Sequence, residues 1–346
     1  MHCGVGQFTR LLCQAIQKLH GRHSTELTMT RSEGGIGDIW SAVGSAQTVV
    51  CNFPIVAWKR VIIRPLLALA IARAKRRHVV LIQHEWAGLH WLRRLTYVPA
   101  LFLSHRIIMF SPLVQHELAS DPLVGWTASR CVLAPLPPNI AAPRESSDSH
   151  LRQRLKDARS NGRPVIGHFG SIYPGKQPTA LLDIAAVLRK RGHNPLIVYI
   201  GSFIKAFDNV EQTFYARVKE LGLADNVIVS GYVESDTEVF GLFSEVDAFC
   251  YVLEEGLTAR RASILTSVQS GKPVIVTGPV DDHEFDHHLR FKALIESGAI
   301  NLVPRGSSPE IYADHIMRSL EAKRAAEPFD YDGWWRDAAD SITAQL

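Results

Sequence analysis

Residues 165–177 read VIGHFGSIYPGKQ, an apolar strand pattern running into a glycine turn that closes on a lysine. A strand that passes through such a turn into a helix aims backbone N–H groups and the positive end of the helix dipole at one point. Lys176 adds a mobile point charge there, so the expected ligand is the phosphate of a nucleotide or nucleotide sugar. Arg260 and Arg261 precede a second helix start, where two cations oppose the helix dipole unless an anion is present. A guanidinium fork can take two phosphate oxygens at once. His84 ends the run VVLIQH and precedes Glu85 and Trp86. A histidine at a strand end either serves a ligand or is a buried ring satisfied by a backbone carbonyl, and the residues alone leave both readings open.

Two other motifs offer different chemistry. GSIYPGKQ is one residue short of the G-x-x-x-x-G-K-[ST] loop of an NTPase. Gln177 and Pro178 stand where the Mg²⁺-binding hydroxyl belongs, which disfavours that reading. His283-Glu284-Phe285-Asp286-His287 matches H-E-x-x-H, which on a helix can hold zinc. No third ligand is identifiable and the run 281–288 is acidic, so a polar, solvated helix start is the expectation and no metal site is assigned.

These residues need a scaffold of alternating strands and helices. Strand patterns fall at 49–53, 79–83, 106–110 and 131–134, and again at 165–169, 195–200, 227–230, 248–251, 274–277 and 299–302. They are short, β-branched and apolar throughout, as strands buried on both faces must be. Helical patterns cover 8–20 and 179–191, and Ser308-Pro309-Glu310 is a helix start. The alternation implies parallel sheets with helices on both faces. A polar stretch rich in Pro, Ser and Asn, 137–163, with a helical pattern at 151–158, divides the chain into two α/β domains.

A chain of 346 residues can bury two cores, and its 46% hydrophobic and 21% charged content is that of a globular protein. Five scattered cysteines without a CxxC pair exclude a disulfide framework or zinc ribbon and fit a reducing cytoplasm. The start, MHCGVGQFTR, lacks the apolar core of a signal peptide. Residues 61–74, the most apolar stretch, are interrupted by Arg64 and Arg73 and fall short of the roughly 20 apolar residues of a membrane span. Residues 1–140 carry 15 Lys/Arg against 6 Asp/Glu, while the remainder carries 23 against 28. With Trp58, Trp86 and Trp91 in it, the basic half either rests on an anionic membrane surface or is a solvated face. Nucleic acid is not an expected partner, because the arginines mingle with a bulky apolar stripe.

Taken in order, these segments resemble the GT-B glycosyltransferases of the large retaining family 4. The family's G-R-x-x-P-E-K-G turn is matched in register by Gly170-Ser171-Ile172-Tyr173-Pro174-Gly175-Lys176-Gln177. Gly231-Tyr232-Val233, Glu245-Val246-Asp247-Ala248-Phe249 and Gln269-Ser270-Gly271-Lys272-Pro273-Val274 follow at the family's spacing, and Gly4-Val5-Gly6 resembles its first glycine loop. The resemblance implies an α/β GT-B fold, two Rossmann-like domains with parallel sheets facing each other across a cleft. The domain boundaries it gives are 1–140 for an acceptor-binding domain, 141–163 for a linker and 164–328 for a nucleotide-sugar domain. Residues 329–346 would form a helix packing back on the first domain through Trp334 and Trp335.

This chain departs from the family in four places. The family's two donor-binding glutamates fall on Thr258 and Thr266, with Glu254 and Glu255 nearby as substitutes. Its phosphate-binding arginine falls on Ser171. Arg260 and Arg261 stand in the loop that should face the donor diphosphate, where either would replace the lost charge. Finally, the chain begins at the glycine loop, so the usual first, central strand either lies upstream of Met1 or is missing.

What the resemblance implies is transfer of a sugar, with retention, from a UDP- or GDP-sugar to a glycan or lipid-linked acceptor. The setting would be cell-surface polysaccharide or glycolipid synthesis, in the cytoplasm or peripherally on the inner face of the plasma membrane. His84, Lys176 and Arg260 would carry the chemistry, with no metal and no cofactor. Gly4, Gly6, Gly170, Ser171, Lys176, Tyr232, Glu255, Arg260, Arg261 and Ser263 would bind the donor. Loss of the paired glutamates leaves a second expectation, a degenerate nucleotide-sugar-binding protein on the same fold.

Overall fold

The apolar strand patterns assemble into two separate parallel sheets. The structure, a computed structural model, describes residues 4–27, 29, 35–53, 62–204, 209–322 and 328–346. The chain divides into two compact units, one of residues 1–139, 283–288 and 331–346, the other of residues 140–282 and 289–330.

The first unit runs α1 (Gly4–His20), α2 (Ile36–Ser45), β1 (Thr48–Phe53), α3 (Ile63–Ala74), β2 (His78–Gln83), α4 (Trp91–Leu103), β3 (Arg106–Met109), α5 (Pro112–Ala119) and β4 (Cys131–Leu133). Its sheet has the order β1-β2-β3-β4, all parallel. Val79, Val80, Leu81 and Ile82 of β2 are fully buried, which is why that strand reads as an unbroken apolar run. Among the described residues no strand pairs with the outer side of β1. Gly4 and Gly6 lie in the first turns of α1, not in a loop before it.

The second unit begins with α6 (His150–Ser160) and continues β5 (Val165–Phe169), α7 (Ala180–Lys190), β6 (Leu196–Ile200), α8 (Val210–Glu220), β7 (Val227–Val229), α9 (Asp236–Ser244) and β8 (Ala248–Tyr251). Then come α10 (Ala262–Val268), β9 (Val274–Thr277), α11 (Leu289–Glu296), β10 (Ile300–Val303) and α12 (Pro309–Glu321). The final helix, α13 (Tyr331–Thr343), belongs to the first unit. The second sheet has the order β10-β9-β8-β5-β6-β7, all parallel. The chain reverses its winding between β5 and β8, and the crevice outside the carboxyl ends of those two strands is where such sheets take ligands.

The stretch 141–163 is no free linker. It belongs to the second unit, and α6 is fastened by charge. Arg152 Nε donates to Glu245 at 3.2 Å, and Arg159 donates to Glu245 at 3.2 Å and to Asp247 at 2.9 Å. Asp247 also accepts from the Val165 N–H at 2.8 Å, so the acids of the 245–249 motif secure the start of β5.

Trp334 and Trp335 are packing residues. Trp335 lies 5.6 Å from the Phe8 ring and donates its indole N–H to the Pro138 carbonyl at 3.1 Å, and Trp334 meets His288 edge-on at 4.8 Å. The 283–288 segment, within the same unit, is not a solvated helix start. Glu284 and His288 are 2% and 1% exposed. His287 Nε2 donates to the Phe110 carbonyl at 3.2 Å and His288 Nε2 to the Leu136 carbonyl at 3.1 Å. The Glu284 carboxylate lies 3.4 Å from the Leu113 N–H at the start of α5. The two adjacent rings and the acid anchor the segment on backbone, and among the described residues no group of His, Cys, Asp and Glu could hold a metal.

Candidate functional site

β5 delivers Gly170, and β8 delivers the loop of Glu254 and Glu255, to either side of the reversal in the second sheet. Gly170 has φ +111, a conformation that favours glycine, and a Cβ there would stand 2.8 Å from the Lys176 ammonium and 3.4 Å from Ser263 Cβ. Gly201, after β6, comes equally close to Gly170: a Cβ on it would lie 2.1 Å from the Gly170 carbonyl oxygen.

The turn is held rigidly. Glu254 N–H donates to Gly175 O at 3.2 Å, and the buried Tyr199 hydroxyl donates to Pro178 O at 2.6 Å. Ile172 N–H donates to Ser202 O at 2.9 Å. Several of the turn's amides are spent on the fold itself. Gly170 N–H donates to Ile200 O, Lys176 N–H to Tyr173 O and Gln177 N–H to Pro174 O. Moreover α7 starts only at Ala180, beyond a single 3-10 turn over Pro174–Lys176. The full charges beside the turn are carried by side chains.

Those side chains converge. Lys176 is 6% exposed, and among the described residues its ammonium has no hydrogen bond or ion pair. Burial, reinforced by the Arg261 guanidinium, pushes its pKa down to about 7. Arg261 Nη1 donates to the Tyr173 hydroxyl at 2.8 Å. Arg260 and Arg261 both donate to one oxygen of Glu255, at 2.7 and 3.0 Å. The anion expected beside the two arginines is thus first of all an internal carboxylate. Under the same turn, His168 is buried, and burial together with the Lys176 charge holds its pKa at about 3. It is neutral there, with Nδ1–H directed at Cys250 O, 3.3 Å away.

Gly170, Lys176, Glu255, Arg260, Arg261 and Ser263 are brought together as a cluster, and Tyr173, which the sequence reading did not single out, ties Arg261 into it. Ser171 is exposed, and Tyr232, 58% exposed, follows β7. The threonines at the expected glutamate positions are both buried. Thr258 is 1% exposed, with no hydrogen-bond partner for its hydroxyl among the described residues, and Thr266 donates its own to Ala262 O at 3.0 Å. Glu254 instead lines a recess of about 150 Å³ with Gln177, Thr277, Arg305 and Tyr312.

Gly4, Gly6 and His84 belong to the first unit. His84 Nε2 lies 3.1 Å from Asn52 Oδ1, and the ring packs against Phe8 and Phe110 at 5.6 and 5.2 Å. A side-chain amide is thus among its partners.

No family model matches the sequence, and no curated protein does. Solved structures do resemble it. HepE of Anabaena, in complex with UDP and glucose, is similar over 96% of this chain and 84% of its own, at 14% identity and a TM-score of 0.57. A glycosyltransferase from Rickettsia africae is similar over 99% and 89%, at 12% identity and 0.56. WaaG, a glycosyltransferase involved in lipopolysaccharide biosynthesis, is similar over 99% and 95%, at 13% identity and 0.53. At such identities the likeness establishes the fold: the chain has the two-sheet α/β fold of the GT-B glycosyltransferases.

Proposed function

We propose that the protein is a glycosyltransferase using a UDP- or GDP-sugar, with the donor's diphosphate held by Lys176, Arg260 and Arg261. The observation that carries this reading is the charge balance of the cluster. Among the described residues Lys176 is buried without an ion pair, and beside it Arg260 and Arg261 share one oxygen of Glu255. A buried cation without a counter-charge is costly, and a diphosphate entering beside Gly170 relieves that cost. As the glycosidic bond breaks, negative charge grows on the β-phosphate, where preorganised cations act most strongly. The cations offset that charge themselves, so the reading requires no divalent metal. The donor takes over the guanidinia, and Glu255, released, is placed to meet a donor hydroxyl. Ser263 and Ser171 flank the same turn, Tyr232 and Gly231 serve the base, and Gly4 and Gly6 lie at the start of the first unit. His84 orients a hydroxyl of the sugars undergoing transfer.

The complex of HepE with UDP and glucose supports a nucleotide-sugar donor, and WaaG's part in lipopolysaccharide synthesis supports a glycan or lipid-linked acceptor at the cell surface. Retention rests on the family resemblance. The test is release of nucleoside diphosphate from UDP- and GDP-sugars, with Lys176→Ala lowering kcat by about 10²–10³, the usual loss for one preorganised donor. If Lys176→Ala and Arg261→Ala leave both turnover and nucleotide affinity untouched, the assignment fails.

The two threonines favour one alternative, a binder without turnover. Thermal stabilisation by nucleotide sugars, with no nucleotide released across a panel of acceptors, would select it.

We also propose that the first unit rests on an anionic membrane surface. Trp91, Leu92, Leu95 and Phe102 are exposed along α4, and Arg130 stacks on Trp126, which meets Phe102 edge-on. Residues 62–77 and 89–106 carry eight Lys/Arg and no carboxylate. Aromatic and basic side chains together suit a headgroup layer, whereas a second copy of the chain would set like charges face to face. Of the tryptophans expected there, Trp86 is buried and donates to Asp121, and Trp58 lies outside the described residues. No helix among the described residues is long and apolar enough to cross a membrane.

A further inference from the structure

β1 reads Thr-Val-Val-Cys-Asn-Phe, an apolar strand interrupted by one amide. Asn52 is 3% exposed, and a buried amide is costly unless both its ends are used. Both are used. Asn52 Nδ2 donates to Thr9 Oγ1 at 2.9 Å, and the Thr9 hydroxyl donates to the Val5 carbonyl, one turn back in α1, at 2.9 Å. A hydroxyl has one proton; with it given to Val5, the oxygen can only accept from Asn52. The amide is therefore locked in one orientation, with Oδ1 toward His84 Nε2 at 3.1 Å. A carbonyl oxygen accepts and never donates, so Nε2 carries the hydrogen. In the neutral imidazole Nδ1 is then the acceptor. Phe8 stands edge-on to the ring, at an interplanar angle of 86°, and Phe110 covers it, so the ring does not turn freely.

We propose that Asn52 and Thr9 are positioning residues that hold His84 in its Nε2–H tautomer, so that the ring accepts a hydrogen bond from a substrate hydroxyl through Nδ1. The substrate half of this statement rests on the transferase reading above; the tautomer does not. The chain of donors runs in one direction only, from His84 to Asn52 Oδ1 at one end and from Asn52 through Thr9 to Val5 at the other.

Long-range proton–nitrogen spectra of the protein labelled with ¹⁵N-histidine, at a pH where the ring is neutral, read which nitrogen carries the hydrogen. Comparison with His84→Gln picks its signals from those of the 15 histidines. The wild type is expected to show Nε2–H alone at His84. Thr9→Val, which frees the amide to turn, and Asn52→Leu, which removes it, are expected to give a mixture of tautomers. Asn52→Asp keeps an acceptor toward Nε2 and restores the single form. A wild-type Nδ1–H signal, or an unchanged spectrum in both Thr9→Val and Asn52→Leu, overturns the proposal. If Asn52→Leu does not fold, the near-isosteric Thr9→Val decides alone. Turnover gives an independent arm: Thr9→Val should lower kcat about tenfold or more at nearly constant donor KM, the scale of losing a partner that orients a functional histidine. A change in donor KM alone overturns the substrate half. A protein that turns over no donor at all defeats the transferase reading and leaves the spectra to decide the tautomer.

Discussion

The Glu255 carboxylate holds Arg261 at 3.0 Å through the same oxygen that holds Arg260 at 2.7 Å. The carboxylate and an incoming diphosphate compete for the same donors. Glu255→Gln removes the charge that competes, so the variant should bind inorganic pyrophosphate, which has no hydroxyls for Glu255 to meet, several-fold more tightly by calorimetry. Weaker binding would show that Glu255 positions the guanidinia more than it occupies them.

Lys176 makes nucleotide binding depend on pH. With its folded pKa near 7 against an ordinary 10.5, the unfolded chain binds more protons between those values, so the empty protein should gain stability as pH rises through that window. A bound diphosphate favours the charged ammonium. Binding of UDP at pH 8, where its phosphates are already ionised, should therefore take up close to one proton, and affinity should fall as pH rises above about 7. Calorimetry in two buffers of different ionisation heat measures the uptake, which should vanish in Lys176→Met.

The two glycines beside the cluster should separate binding from folding. Gly170→Ala pushes on a flexible lysine tip and strains one residue, at a cost of about 1–3 kcal/mol, so it should fold and bind UDP poorly. Gly201→Ala pushes on the Gly170 backbone itself and should lose more in thermal melting.

Removing the Trp335 indole leaves a hole against Phe8 and an unmet Pro138 carbonyl. Trp335→Ala should destabilise the protein by about 3–5 kcal/mol in denaturant unfolding, and Trp335→Phe by less.

The exposed stripe on α4 predicts binding to vesicles of phosphatidylglycerol but not of phosphatidylcholine alone, reversed by high salt. Trp91→Glu with Phe102→Glu should abolish sedimentation with the vesicles and leave the melting temperature unchanged, since both side chains are exposed.

The strands of the described residues were legible because most are buried and read as unbroken apolar runs; 165–169, 248–251 and 274–277 match the structure residue for residue. Helix α6 was legible only as a helical stretch at 151–158, not as a fixture of the second unit, because only Leu155 and Ala158 are buried on it and ion pairs to Glu245 and Asp247, far away in sequence, fix it in place. The lysine turn was legible as a place but not as a device: hydrogen bonding takes up the Gly170, Ile172, Lys176 and Gln177 amides, and only the fold reveals their partners. The signal for Asn52 was present, one amide in an apolar strand, but its meaning depends on Thr9, 43 residues away. Tyr173 likewise acquires a role only through Arg261, 88 residues on.

The first unit is stitched from three stretches of chain, the last of them residues 331–346. During synthesis its opening residues emerge long before Trp335 and the anchoring histidines that complete their core. Residues 4–139 must wait, incomplete and with apolar surface uncovered, until residues 331–346 have been made. A fragment stopping at residue 139 would never close, and expression of that half alone should yield aggregated material for chaperones to clear.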